Sequence, residues 1–362
     1  GPIESITPTM AAAAEMAMSE VSDSGKLLGG ETVTSVRADS TCIDSAAATA
    51  AAERLVTSDN VAAIVGADCS GVTGAIANNV AVPKGVVMIS PSATSPALTT
   101  IEDNGYFFRT APSDARQGQV LADMMKDQGI TEIAVTYTNN DYGKGLADSF
   151  QAAFEAAGGK VSISVPHEDG KGDYSAEVAT LAATGSKELA VFGYVDQGGR
   201  GIIQSALDTG AFDKFVLCDG MIGDSLLEAF GDSLNGTIGT LPGNDGEGAT
   251  KFLELAKAKG IDGSGAFAPE SYDAAALLML AMEAAGSTDR AAIQAKVLDV
   301  ANGPGEPILP GELGKALEII AKGGDVDYVG ATGVELIGPG EAAGSYKELL
   351  VDGGKFTTVQ IR

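Results

Sequence analysis

The chain has 362 residues, which favours two medium domains, because single cores stop growing near about 250–300 residues. Apolar residues make up 44% and charged residues 20%, so a sizeable core can form and wholesale disorder is excluded. With 23 Lys and Arg against 49 Asp and Glu, the formal charge is −26. That charge repels phosphate backbones and argues against a nucleic-acid or anionic-membrane partner.

The N-terminus opens Gly1-Pro2-Ile3-Glu4, with neither a basic n-region nor an apolar h-region, which suits a mature secreted form as well as a cytoplasmic one. It looks like the loop that follows a strand, so either a first strand is missing or the first lobe is built differently. Short β-rich runs then alternate with Ala-rich stretches. Val61–Gly66, Val86–Ser90, Glu132–Thr138, Lys160–Pro166, Glu188–Tyr194 and Lys214–Cys218 are mostly apolar or β-branched, as strands covered on both faces are. Between them the pattern predicts helices at Asp44–Thr57, Val72–Ala81, Asp114–Lys126, Tyr142–Ala157, Tyr174–Ala183, Gln197–Leu207 and Ser225–Phe230. Gly129, Gly158, Gly185 and Gly210 stand just past helix ends, where a left-handed residue costs least. This rhythm predicts βαβ units and a doubly wound α/β fold.

The rhythm breaks after Thr237–Leu241. Three helical stretches, Ala249–Lys259, Pro269–Ala285 and Asp289–Val300, follow with hardly a strand between them. The tail returns to strands at Val334–Ile337, Tyr346–Val351 and Lys355–Ile361, the last two flanking the hairpin signal Asp352-Gly353-Gly354. A late helical block followed by β implies a chain that crosses between two lobes more than once. No run reaches the roughly 18–20 apolar residues of a membrane helix; the stretch Ala274–Ala281 is short and flanked by charge.

Signals for chemistry are sparse. The single histidine, His167, sits in the polar run Pro166-His167-Glu168-Asp169 and reads as an exposed loop residue rather than a base. One histidine also excludes HExxH and multi-imidazole metal sites. Ser70 is not in a GxSxG elbow, and neither a GxxxxGK[ST] nor a strand-to-helix GxGxxG occurs, so no cofactor or metal is expected. Cys42, Cys69 and Cys218 fit no zinc spacing; one disulfide plus a buried thiol, or three buried thiols, both accommodate them.

Small polar residues instead gather where strands end. Val61–Gly66 runs into Asp68-Cys69-Ser70-Gly71, and Val86–Ser90 into Pro91-Ser92-Ala93-Thr94-Ser95-Pro96. Backbone N–H groups and hydroxyls at a sheet's carboxyl edge can seat a carboxylate, although Ser70 and Thr94 could equally cap helices. Tyr194 and Asp219 follow two further strands, and Tyr142 heads the helix after Glu132–Thr138. A carboxylate at Asp219 could neutralise an ammonium, or simply cap a turn.

The stretches Asp39-Ser40-Thr41-Cys42, Ile64-Val65-Gly66 to Cys69-Ser70, Met88 to Leu98 (MISPSATSPAL), Phe108-Arg109-Thr110, Asp141-Tyr142-Gly143-Lys144-Gly145 and Asp325-Val326-Asp327-Tyr328 resemble, in order and over essentially the whole chain, the periplasmic substrate-binding proteins of the leucine/isoleucine/valine-binding type. The resemblance implies two doubly wound parallel-sheet lobes joined by a three-crossing hinge, residues 1–116 with 245–341 and residues 117–244 with 342–362. It implies a non-enzymatic periplasmic monomer that delivers an amino acid, aliphatic or small and neutral, to the permease subunits of an ABC importer. A ligand-sensing module of the same fold, or a binder of a small amide, urea or aromatic acid, is the alternative; a hydrolase using Ser70 is the third reading.

Carried over by position, Ser70 and Thr94 would bind the α-carboxylate. Ser92, with Ala93 beside it, would offer a carbonyl to the ammonium, and Asp219 would neutralise it. Tyr142 and Tyr194 would close over the ligand from the second lobe. The resemblance also implies a Cys42–Cys69 disulfide pinning the loop that carries Ser70, which leaves Cys218 as a packed thiol. The chain departs from the family in lacking an aromatic within Ile3–Pro8, where Glu4, Ser5 and Thr7 stand instead; Glu4 facing the cleft would favour a polar or cationic ligand.

Overall fold

The structure, a computed structural model, describes residues 1–362. Fourteen strands run in chain order: β1 Ala63–Val65, β2 Val87–Ser90, β3 Phe107–Pro112, β4 Glu132–Thr138, β5 Lys160–His167, β6 Glu188–Phe192, β7 Lys214–Leu217, β8 Ile238–Pro242, β9 Glu306–Ile308, β10 Val326–Tyr328, β11 Leu336–Ile337, β12 Glu341–Ala342, β13 Tyr346–Asp352 and β14 Lys355–Ile361. They form two main sheets. The first is ordered β1-β2-β3-β12-β11, parallel through β12; the second is ordered β14-β13-β8-β7-β6-β4-β5, parallel from β8 to β5 with the β13–β14 hairpin antiparallel. Strands β9 and β10 make a small parallel pair. Read from β5 to β8, the second sheet has the 2-1-3-4-5 order of a doubly wound fold, whose strand order reverses between β4 and β6.

Strands β2 and β3 are buried at every residue because helices cover both faces, and β2 accordingly reads as a largely apolar run. The helix Ala268–Ala285 packs on β1, β2 and β3 and against the helix Thr7–Ser24. It is buried almost continuously from Ala268 to Ala281, as a helix apolar on all sides must be. The chain passes between the sheets after β3, after β8 and after β12. The second and third passages are tied together: the Gly243 N–H donates to the Ser345 carbonyl at 2.9 Å, and Ser345 Oγ donates to the Gly243 carbonyl at 2.9 Å.

Where sequence and structure differ, packing is the reason. Strand β3 contains Arg109, a residue foreign to a buried strand, yet it is 1% exposed. Its guanidinium pairs with Glu341 at 2.5 Å and donates to the carbonyls of Ala93 and Ser95 at 3.0 and 2.8 Å. His167 is not an exposed loop residue: it ends β5, is buried, and its Nδ1 is 2.9 Å from Thr136 Oγ1 on β4, with its ring edge-on to Tyr174. Burial pushes its imidazole down to about 4, so it is neutral near pH 7. The predicted helix Asp289–Val300 is two short helices, Arg290–Gln294 and Val297–Ala301, with Ile293 and Val297 both in the core. At the start, residues 1–6 make turns, β1 is the outer strand of the first sheet, and residues 31–41 lack regular structure.

Candidate functional site

A cavity lies between the two sheets, lined by Ile3, Ile6, Met10, Asp68, Cys69, Ser70, Ser92, Tyr142, Tyr194, Asp219, Gly220 and Phe267. Its position follows from the topology. Tyr142 comes just after β4 and Tyr194 just after β6, on either side of the place where strand order reverses and a crevice opens at the strands' carboxyl ends. Asp68 and Ser70 follow β1 of the other sheet, and Ser92 follows β2.

On the first-lobe side, Ser70 opens the helix Ser70–Ile76 but does not cap it; its Oγ accepts the Ser95 N–H at 3.1 Å, leaving the hydroxyl proton free to donate outward. The next helical turn is capped by Ser95, not Thr94. Ser92 Oγ donates to the Asp68 carbonyl at 2.8 Å, tying the two loops together. The Cys42–Cys69 disulfide is formed, with Cα atoms 5.1 Å apart, and anchors the residue between Asp68 and Ser70.

On the second-lobe side, Asp219 is 1% exposed and is no solvated turn residue. Its Oδ1 receives the Tyr142 hydroxyl at 2.5 Å and the Gly220 N–H at 2.7 Å, while Oδ2 has no protein partner. Burial raises its carboxyl against the lowering pull of those hydrogen bonds. The Tyr142 ring stacks on Tyr194, centroids 5.2 Å apart and 21° between planes, and the Tyr194 hydroxyl accepts from Asn140 Nδ2 at 3.3 Å. Cys218, the free cysteine, is packed beneath: Tyr142 Oη lies 3.0 Å from its sulfur, and burial pushes the thiol far above its ordinary range, so it is inert.

Of the residues singled out from sequence, Ser70, Ser92, Tyr142, Tyr194 and Asp219 meet at this cavity. Thr94 and Ala93 do not line it. Ala93 gives its carbonyl to Arg109 and its N–H to Ser90 Oγ. Thr94 is fully buried with an unpartnered hydroxyl; it lies near enough to Asp114 to draw that carboxyl down, against the larger upward push of burial and the Asp219 charge. Glu4 is also absent from the lining: its side chain is 72% exposed, because the turns of residues 1–6 point it to solvent while Ile3 and Ile6 face inward. Asp68 and Phe267, which sequence reasoning did not single out, line the cavity instead. Asp68 was discoverable as the one carboxylate of the loop that carries Ser70; nothing local marks Phe267.

The lobes touch around this cavity. Ser95 Oγ donates to the Asp141 carbonyl at 3.1 Å. The Ser5 N–H and hydroxyl donate to Asp196 Oδ2 at 2.8 and 2.7 Å, and the Asp196 N–H donates to the Pro2 carbonyl at 3.0 Å. No helix of the structure is long and apolar enough to cross a membrane.

Comparison with known proteins agrees with this geometry. Residues 1–303 match the family model described as periplasmic binding protein. The chain is 31% identical over 297 residues to the leucine-, isoleucine-, valine-, threonine- and alanine-binding protein of Pseudomonas aeruginosa, covering 80% of this chain and 77% of that one. Its fold is that of the branched-chain amino acid transporter substrate-binding protein LivJ from Streptococcus pneumoniae, solved with isoleucine (TM-score 0.82, 21% identity, 100% of this chain and 96% of that one). It is also that of an R. palustris solute-binding protein solved with 4-hydroxybenzoate (TM-score 0.78, 20% identity, 98% and 93%). The chain therefore belongs to the periplasmic binding protein family, and its two lobes are those of the Leu/Ile/Val-binding type.

Proposed function

We propose that this protein captures an α-amino acid between its lobes and hands it to the permease of an ABC importer in the periplasm, without chemistry of its own. The carrying observation is that Ser70 from one sheet and Asp219 from the other line the same cavity, and that Asp219 keeps one carboxylate oxygen without a protein partner, a donor and an anion from opposite lobes that match a carboxylate and an ammonium. The curated relative's amino-acid name supports the reading. No cation lines the cavity, which weighs against a bare carboxylate such as an aromatic acid. Ser70 hydrogen-bonds a backbone N–H rather than an imidazole, which weighs against a hydrolase.

In this reading the ligand binds the first lobe and supplies new hydrogen bonds to the second, so closure is favoured when ligand is present. The lobes are taken as residues 1–116 with 245–341 and residues 117–244 with 342–362, and the functional unit as a monomer. A thermal-shift screen of amino acids, amides and carboxylic acids tests the proposal. A ligand at a hundred times its Kd adds about 2.7 kcal/mol of stability, and stabilisation confined to carboxylic acids or amides lacking an α-ammonium overturns the amino-acid assignment.

A further inference from the structure

The cavity contains one more carboxylate than a simple zwitterion needs. Asp68 and Asp219 both line it, from different lobes. The Asp68 carboxylate has no hydrogen bond or ion pair to any protein group; its loop is fixed through the backbone, by Ser92 Oγ and the neighbouring disulfide. Burial lifts its carboxyl to about 6, so near pH 7 it is largely charged and has no counter-ion from the protein. The buried guanidinium of β3, Arg109, is committed to Glu341.

We propose that Asp68 receives a cation on the ligand's side chain, so that this protein selects α-amino acids ending in an ammonium or guanidinium. The inference rests on the amino-acid reading above and adds the side-chain class. An aliphatic side chain would press against Asp68 and desolvate it with nothing in return, an unfavourable burial. A lysine- or arginine-like side chain lays its methylenes along Ile3, Ile6, Met10 and Phe267 and places its charged end at Asp68. The formal charge of −26 draws such a ligand in and slows the approach of anions.

Calorimetry with lysine, arginine, norleucine and leucine tests this on the intact chain, since norleucine is lysine without its ammonium. Lysine or arginine is expected to bind at least about tenfold more tightly than norleucine. Asp68→Asn is expected to remove that preference. Norleucine or leucine binding as tightly as lysine to the unaltered protein overturns the side-chain assignment alone, without needing any variant to fold. Absence of binding by every α-amino acid overturns the amino-acid reading, and this inference with it.

Discussion

The Tyr142 hydroxyl holds Asp219 by one oxygen: Oδ1 takes the phenol at 2.5 Å and the Gly220 N–H at 2.7 Å, and Oδ2 alone is left over. The tyrosine thus orients the carboxylate as well as roofing the cavity beside Tyr194. Asp219→Ala should abolish measurable amino-acid binding, because a buried ammonium would lose its counter-charge. Tyr142→Phe keeps the ring and the charge but frees the carboxylate to turn, and should weaken binding about tenfold, the worth of one charge-assisted hydrogen bond. Calorimetry giving unaltered affinity in Asp219→Ala would remove Asp219 from the ligand's ammonium.

The disulfide should matter to both stability and binding. Cys42 and Cys69 are 27 residues apart, and closing a loop of that length is worth about 3–4 kcal/mol in the chain-entropy account. Cys69 stands between Asp68 and Ser70 and itself lines the cavity. Replacing both cysteines by serine should lower the melting temperature by several degrees and also loosen ligand binding. A variant that melts lower yet binds with full affinity would show that the first-lobe loops hold their places without the bond.

The alternation of strand and helix was legible because parallel strands covered on both faces carry mostly apolar or β-branched runs, so β2, β4, β6 and β7 stand out. Strand β3 was hidden by Arg109, whose charge is acceptable only through Glu341, 232 positions away, a partner no local pattern shows. The five site residues that meet at the cavity could be read because each follows a strand's carboxyl end, where a doubly wound fold places its ligand. Glu4 could not be placed, since whether a turn points its side chain inward depends on packing by Ile3 and Ile6. Phe267 lies beyond the last β8 crossing and reaches the cavity only through tertiary structure.

Gly145 offers a test of lobe closure itself. It lies on the helix Asp141–Ala156 of the second lobe, and a Cβ built there would stand 2.8 Å from Pro96 Cδ and 3.2 Å from Ser95 Oγ on the first lobe. The proline ring cannot swing aside, so Gly145→Ala should resist the approach of the lobes while leaving each one's own core untouched. Affinity is expected to fall about tenfold, with the melting temperature of the protein alone unchanged or slightly raised by the better helix former. Small-angle scattering should then show a larger radius of gyration in the presence of ligand than for the unaltered protein. Equal affinity and equal compaction would place the closing contact elsewhere.

Glu270 should set the alkaline slope of stability. It is 2% exposed in the first turn of the helix Ala268–Ala285, and burial pushes its carboxyl up to about 8 from an ordinary 4.5. Between those values the folded chain holds a proton that the unfolded chain has released, so stability falls as pH rises through the window. His167 acts in the opposite sense, since its depressed value near 4 makes stability rise with pH, but only below about 6.5. Asp68 and Asp273, raised by burial to about 6 each, have largely finished titrating by pH 7. From pH 7 to 8.5 Glu270 should contribute a decline of about 1 kcal/mol, and the buried Asp114, also raised by burial, acts in the same direction. Glu270→Gln keeps the shape and removes this titration, so its denaturation midpoint should fall clearly less across that range than the parent's. Parallel curves for the two proteins would mean that Glu270 ionises no differently in the folded chain than in the unfolded one.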